Sequence, residues 1–594
     1  MRGRGRERIR KLWDEDLTKI QLKKSRKRAV IISTILYFGF LIIVLRLADL
    51  MILDHRNLAR RAYTQYLTVR TLHPQRGFIW DRRMREMAVN LEVDSLYAVP
   101  SKIEDVDYLS QRLSPIIEIS ADAIRDRLLK KKERDFIWLK RKIDQQTSHK
   151  LVKFKKIYGI DSIGLITETR RFYPKGHTAS HILGFTDIDD RGLEGIELQY
   201  DEYLRGKVRK ILNSRDARGR SLSSGFEEAI AGNNIILTID ETIQYIVERE
   251  IERAVEKWRA KAATAIMMNP VSGEILAMAN TPFYDPNHPS RYPADYRRNR
   301  AITDIYEPGS TFKSILASAA LEEGLVDVDE EFDVSRGYIV VGGKAIRDVH
   351  RHETLTFREV IQKSSNVGAV QIGLRLGKER YYEYMKRFGF GDRTGIDLPG
   401  EVRGILRRPE RWSGTSIAAL SIGQEIGVTP LQILTAYCAI ANGGLLMRPY
   451  VVSEIISPQG EVIKRFTPQV IRRVISPETA ETVRDILKTV VEEGGTGRRA
   501  YIKGNLVAGK TGTAQMVDPE TGRYSRDRYA SSFVGFVPAD DPVIALIVVI
   551  YEPKGARYGG VVAAPVFRRI VEHTLTYLEV PMERNENHIL LVSR

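Results

Sequence analysis

Residues 29–45 read AVIISTILYFGFLIIVL, 17 positions without a charged side chain. No other stretch narrows the possible architectures as much. With the following RLADLM the run is long enough, as a helix, to cross a hydrocarbon core of about 30 Å, with Arg46 snorkelling to the interface. The preceding tail opens MRGRGRERIRK, and residues 1–28 hold 12 Lys/Arg against 4 Asp/Glu, a net +8. Alone, such a tail would fit nucleic acid. Beside an apolar span it fits the excess of positive charge on the cytoplasmic side of a membrane. No small-x-small cleavage site comes after it, so the segment reads as an uncleaved anchor. The expectation is a cytoplasmic basic tail over 1–28, a single-pass anchor over 29–50 and everything later outside the membrane, with no nucleic acid as partner.

The 594 residues are enough for three to four domains of about 150 residues each. The single cysteine, Cys438, lies in LQILTAYCAIANGG, apolar at helical spacing, and reads as buried packing. Residues 51–232 have mixed texture: LTVRTLHPQRGFIWD alternates like strand and turn, and VDYLSQRLSPIIEISADAIRDRLLKK has helical spacing. From residue 233 the texture changes. NNIILTIDETIQYIVEREIERAVEKW predicts a short strand, an Asp/Thr start signal and a long amphipathic helix. ATAIMMNPVSGEILAMAN predicts a hairpin over Ala263–Asn280, and ASSFVGFVPADDPVIALIVVIYEP a second one far downstream. Apolar helices are expected between them, over 311–322, about 356–376 and 430–441. Strands at both ends with helices between predict one α+β domain over 233–578, whose antiparallel sheet joins its N- and C-terminal strands. The tail 579–594 reads as loosely held.

Three short motifs carry chemistry. Ser310-x-x-Lys313, in YEPGSTFKS, is the only Ser-x-x-Lys in the chain. At i,i+3 the two side chains share a helix face, so a lysine amine can reach the hydroxyl, and a helix N-terminus favours developing negative charge. A serine hydroxyl needs such a base to act as nucleophile. Ser364-x-Asn366 and Lys510-Thr511-Gly512, with Thr513 next, are likewise unique. Each has a plain structural alternative: Ser310 as a helix cap, Ser364 and Asn366 as helix-start residues, Lys-Thr-Gly as a turn. The three in this order, on a helix start, a helix or loop and a strand, form one constellation.

That constellation resembles the active site of penicillin-binding proteins and serine β-lactamases. The likeness extends to TDIYEPGSTFKS, IQKSSNVG, GVTPLQILTAYCAIANGG and AGKTGTAQ in the transpeptidase domain. RGFIWDRR (76–83), RRFYPKGHTASHILGF (170–185) and GLEGIELQYDEYLRG (192–206) resemble the non-catalytic module of class B members. Together with the anchor, the resemblance spans residues 29–578. One departure is Met84, where the class B box usually carries Gly. Ser-Ser-Asn, where elongation-type enzymes usually carry Ser-x-Asp, resembles the division-type (FtsI-like) enzymes, as does RDVHRHETLTFREVIQKSSNVG around it. Sporulation relatives usually carry a further C-terminal domain, and about 16 residues remain after 578 here.

The resemblance implies a transpeptidase domain with a five-stranded antiparallel sheet and helices, on an elongated N-terminal pedestal with one transmembrane helix. It implies a D,D-transpeptidase that cross-links peptidoglycan stem peptides at the septum and is trapped by β-lactams. Ser310 would be the nucleophile and Lys313 its base, with its pKa lowered by burial and by Lys510. Ser364 would relay a proton and Asn366 would hold the substrate backbone. Lys510, Thr511, Gly512 and Thr513 would form the carboxylate-binding strand, and the N–H groups of Ser310 and Thr513 the oxyanion hole. Implied partners are a membrane glycan polymerase of the FtsW type and other divisome proteins. No metal or other cofactor is implied, and His350 and His352 read as a solvated loop.

Overall fold

The computed structural model describes residues 4–58, 67–72, 74–207, 209–214, 230–518 and 521–581, so 582–594 of the expected tail lie outside the described residues. The chain divides into two units, 1–73 with 208–229, and 74–207 with 230–594. In the first, helix α1 (Arg4–Ala48) runs into five residues of wider π-helix, Asp49–Leu53. Within the segment Lys23–Leu53, the most apolar 18-residue stretch has mean hydropathy 2.4 and, among the described residues, packs against no protein face. A helix of that length satisfies its own backbone, which is what hydrocarbon demands of a spanning segment. The same unit holds an antiparallel ribbon of Leu67–Leu72 with Arg209–Ser214.

The second unit begins with a small mixed layer. Strand β1 (Glu86–Ala98) is central and pairs antiparallel with β2 (Ile137–Ile143) and β3 (Ile163–Phe172). Helices α2 (Val106–Ile117), α3 (Ala121–Leu129) and α4 (Gln145–Tyr158) start at Asp105, Ser120 and Asp144, whose side chains each accept an N–H of the first turn. The helical stretch read from 106 onward is therefore two helices, parted by left-handed Glu118. Their apolar faces (Leu113, Ile117, Leu128 and, from α4, Leu151 and Phe154) bury Leu96, Leu139 and Ile163.

The three sequence boxes of this module meet at one buried carboxylate. Glu197 accepts from Arg76 Nε and from Arg171 Nε, both at 2.6 Å, and from Tyr173 Oη at 3.2 Å. Arg76 also donates to Asp201 at 2.6 Å and to two main-chain oxygens, and Arg171 donates to Gly77 O at 2.7 Å. All three charged side chains are almost fully buried. Nearby, Met84 has φ +61°, so the turn after Asp81 is left-handed at the position where the resemblance leads one to expect Gly. Asp81 holds that turn by accepting from the N–H groups of Arg83 and Arg85.

Short strands join this layer to the later part of the chain. Ile79–Trp80 pairs with β1 and runs parallel to Asn234–Leu237, which pairs with Val452–Ile456. The short strand expected at the start of the second region thus belongs to this seven-stranded sheet. Asp240 caps helix α5 (Glu241–Trp258).

The second sheet is built from both ends of the region. Strands β4 (Ala262–Met268) and β5 (Ile275–Thr281) come first. Helices α6 (Lys313–Glu322), α7 (Asn366–Leu376) and α8 (Pro430–Ala441) come next, then β6 (Ala508–Val517), β7 (Tyr524–Val537), β8 (Ile544–Tyr551) and helix α9 (Ala564–Tyr577). The strand order is β6-β7-β8-β4-β5, antiparallel throughout, and the two ends of the sequence meet at β8–β4 as expected. One face packs on α5 and α9 through Val247, Ile251, Phe567 and Ile570. On the other, α8 is buried over its whole length, and Thr429 and Gln432 close a capping box at its start. Cys438 lies buried within α8, its thiol pushed up by burial.

Candidate active site

Ser310 lies in a tight 3-10 turn, Gly309–Phe312, that leads straight into α6. Its hydroxyl makes no capping bond to either element, so the plain reading of Ser310 as a helix cap does not hold. The turn presses on β6 through two glycines. A Cβ on Gly309 (φ +57°) would come 2.9 Å from Thr513 O; one on Gly512 would strike Ser532 Oγ and lie 2.9 Å from Pro308 O. Any side chain at either place would force turn and strand apart.

The helix expected over 356–376 is broken. Phe357–Gln362 ends, Ser364 takes φ +62°, and α7 begins at Asn366. Left-handed backbone is uncommon in a residue with a Cβ. The break separates the tasks of two neighbouring serines: Ser365 caps α7 by accepting from Gly368 N at 3.0 Å, and Ser364 turns to the lysines.

Lys313 Nζ donates to Ser364 O at 2.7 Å, to Asn366 Oδ1 at 2.8 Å and to Ser364 Oγ at 3.3 Å. Lys510 Nζ, from β6, donates to the same Ser364 Oγ at 3.0 Å and to Thr511 O at 3.4 Å. Two fully buried lysines therefore share one hydroxyl. Burial pushes Lys313 down to about 7, with Asp348 opposing. Burial and then the charge of Lys313 push Lys510 far below the usual lysine range. The expectation that Lys510 helps lower Lys313 is thus modified: burial lowers Lys313, and the repulsion falls on Lys510.

Above the lysines opens a cavity of about 740 Å³, lined among others by Ser310, Ser364, Asn366, Thr511 and Thr513. Thr513 Oγ1 accepts from Gly559 N at 3.0 Å, and Thr511 Oγ1 donates to Thr496 Oγ1 at 3.1 Å. Ser310 Oγ has no hydrogen-bond partner among the described residues, so the expected Lys313–Ser310 contact is not closed here. Such contacts commonly tighten only once substrate is bound. β6 is an edge strand, with alternate backbone groups turned away from β7. The residues singled out from the three motifs thus all come together at this cavity or directly beneath it.

Sequence reasoning missed other lining residues. Asp348 lies inside RDVHRHETLTF, and no spacing rule ties it to the motifs. Arg557 stands over both Tyr529 and Tyr558, with ring centroids 5.2 and 5.3 Å away, at the cavity wall. His350 and His352, expected in a solvated loop, line it as well.

Comparison with known proteins agrees with this geometry. The family described as penicillin-binding protein transpeptidase domain matches residues 263–572, and that described as penicillin-binding protein dimerisation domain matches 71–237. Stage V sporulation protein D of Bacillus subtilis is 36% identical over 572 residues, 94% of this chain and 87% of its own. Peptidoglycan D,D-transpeptidase FtsI of Escherichia coli is 34% identical over 543 residues, 90% of this chain and 89% of its own. The crystal structure of penicillin-binding protein 3 of Mycobacterium tuberculosis complexed with aztreonam superposes with TM-score 0.68 at 29% identity, covering 87% of this chain and 98% of that one. The chain belongs to the class B penicillin-binding proteins. It is an enzyme of their serine transpeptidase type.

Proposed function

We propose that the protein is a peptidoglycan D,D-transpeptidase that works through a Ser310 acyl-enzyme at the division septum. The observation that carries this is the meeting of Lys313 and Lys510 on Ser364 Oγ beneath a cavity that Ser310 lines. With Lys313 near 7, a large share of it is neutral at physiological pH and free to accept a proton. It takes the proton of Ser310 as Oγ bonds to the penultimate D-Ala carbonyl carbon of a stem peptide. The resulting oxyanion lies between the N–H groups of Ser310 and Thr513. Collapse breaks the peptide bond, and the departing D-Ala amine takes a proton relayed by Ser364, whose oxygen is already held by the lysines. Asn366 holds the substrate backbone. Lys510, Thr511 and Thr513 hold the terminal carboxylate, and Gly512 keeps the strand close. An amine from a neighbouring stem then attacks the ester, forms the cross-link and frees Ser310. A β-lactam stops at the ester.

The division of labour runs along the chain: basic tail 1–28 in the cytoplasm, anchor 29–50, a partner-binding module 51–232, a catalytic domain 233–578 outside the membrane, and a short tail 579–594. The septal role is supported by the FtsI relative and by Ser-Ser-Asn; its partners would be an FtsW-type glycan polymerase and other divisome proteins. A second reading, a role in sporulation, is supported by the 36% identity to Stage V sporulation protein D.

Labelling with fluorescent penicillin tests the chemistry: covalent label is expected, and Ser310→Ala abolishes it. Label that survives in Ser310→Ala refutes the nucleophile. Depletion from growing cells separates the roles: filaments support the septum, round cells indicate elongation, and normal growth with failed spores favours the second reading.

A further inference from the structure

Asp348 comes directly after a hairpin of Tyr338–Val341 with Lys344–Arg347, and its own N–H is tied to Gly337 O at 3.0 Å. Among the described residues, its carboxylate takes hydrogen bonds only from the start of α7. Oδ2 accepts from Ser365 Oγ at 2.7 Å; Oδ1 accepts from Asn366 N and, at 3.1 Å, from Val367 N. Since Ser365 already serves Gly368 N, the first three N–H groups of this 11-residue helix are all satisfied, two of them by a residue from a separate loop. Next to it, Arg347 O accepts from Asn366 Nδ2 at 2.8 Å, which turns Asn366 Oδ1 onto Lys313 Nζ. Ser364 sits immediately before this clamp in left-handed backbone that costs energy to hold.

We propose that Asp348 is a positioning residue for the transpeptidase reaction: it clamps the first turn of α7 so that Ser364 and Asn366 stay on Lys313, and it places a negative charge toward the buried lysine pair. The proposal rests on the reading of Lys313 as the base. Lys313 on α6 is faced by Lys510 from β6, by the neutral Ser364 just before α7 and Asn366 at its first position, and by the Asp348 loop; His350, His352, Lys363, Arg498, Arg499 and Arg557 line the cavity around them. Of these, Asp348 is the group that favours the charged form of Lys313. Its removal therefore makes the neutral base available at lower pH.

The test uses the full-length protein in detergent. Acylation by fluorescent penicillin is timed from pH 5 to 9 in wild type, Asp348→Asn, Asp348→Glu and Lys313→Ala, beside thermal melting. Asp348→Asn keeps an acceptor for the helix N–H groups and loses the charge. Its rate profile is expected to move down by about half a pH unit or more, with a plateau about tenfold lower. Asp348→Glu restores the midpoint and serves as the second variant should Asp348→Asn not fold. A wild-type midpoint and plateau in Asp348→Asn overturns the proposal. So does an Asp348→Glu midpoint displaced as far as that of Asp348→Asn. A wild-type rate in Lys313→Ala removes the reading of the base, and this proposal with it, which distinguishes the two failures.

Discussion

Glu197 is where the non-catalytic module can be tested most sharply. Burial alone would push its carboxyl up; the guanidiniums of Arg171 and Arg76 reverse that and hold it below its ordinary value of 4.5. Glu197→Ala leaves two guanidiniums almost fully buried with their main anion gone. Breaking such a pair by removing one partner costs about 3–5 kcal/mol. Here one carboxylate serves two arginines and Tyr173, which favours the upper half of that range, while Asp201 still compensates Arg76 in part. In a unit this large the loss corresponds to a fall in melting temperature of roughly 4–5 °C. Glu197→Gln keeps the shape and one acceptor oxygen and is expected to lose about half as much. The pH dependence has a definite sign. A carboxyl lowered in the folded state contributes stability that is present above its unfolded value near 4.5 and is lost as pH falls through the folded value. The gap between wild type and Glu197→Gln is therefore full at pH 7 and shrinks below pH 4.5. Thermal unfolding of both proteins at several pH values reads this directly. None of the cluster lines the cavity, so penicillin acylation per folded molecule stays at the wild-type rate. A Glu197→Ala variant that melts within a degree of wild type at pH 7 would refute the reasoning.

The site itself yields two further outcomes. The acylation rate of the wild type is expected to rise about tenfold between pH 6 and 8 and then level, because the neutral fraction of a group near 7 does so; a rate still climbing tenfold per pH unit at pH 9 would mean that Lys313 keeps an ordinary lysine value. Gly512→Ala places a methyl against Pro308 O and Thr311 Cγ2, each 2.9 Å away, and against Ser532 Oγ. Such overpacking costs about 1–3 kcal/mol, and by moving the nucleophile turn off β6 it should slow acylation more than it lowers the melting temperature; an unchanged acylation rate would contradict that coupling.

Much of this protein is local and therefore legible. An uncharged run of 17 residues behind a basic tail can be read directly, since hydropathy and charge act along the chain. The two terminal hairpins and α8 declare themselves by apolar runs, turn residues and helical spacing. Ser310, Lys313, Ser364, Asn366 and Lys510 were recognisable because each motif is short and unique, and their joint appearance in order carries information that none holds alone. Other features depend on which distant segments come to rest together. Lys313 falls to about 7 only because folding takes it out of water, and Ser364 meets both lysines only because the helix expected over 356–376 breaks at a left-handed serine. The junction of Arg76, Arg171 and Glu197 joins residues up to 121 positions apart, and Asp348 reaches α7 across 18 or 19. Periodicity and propensity describe neighbours along the chain. Desolvation and hydrogen bonds between remote residues arise only once the chain has packed, so the tertiary structure alone decided which serine faces the lysines and which acid binds the start of α7.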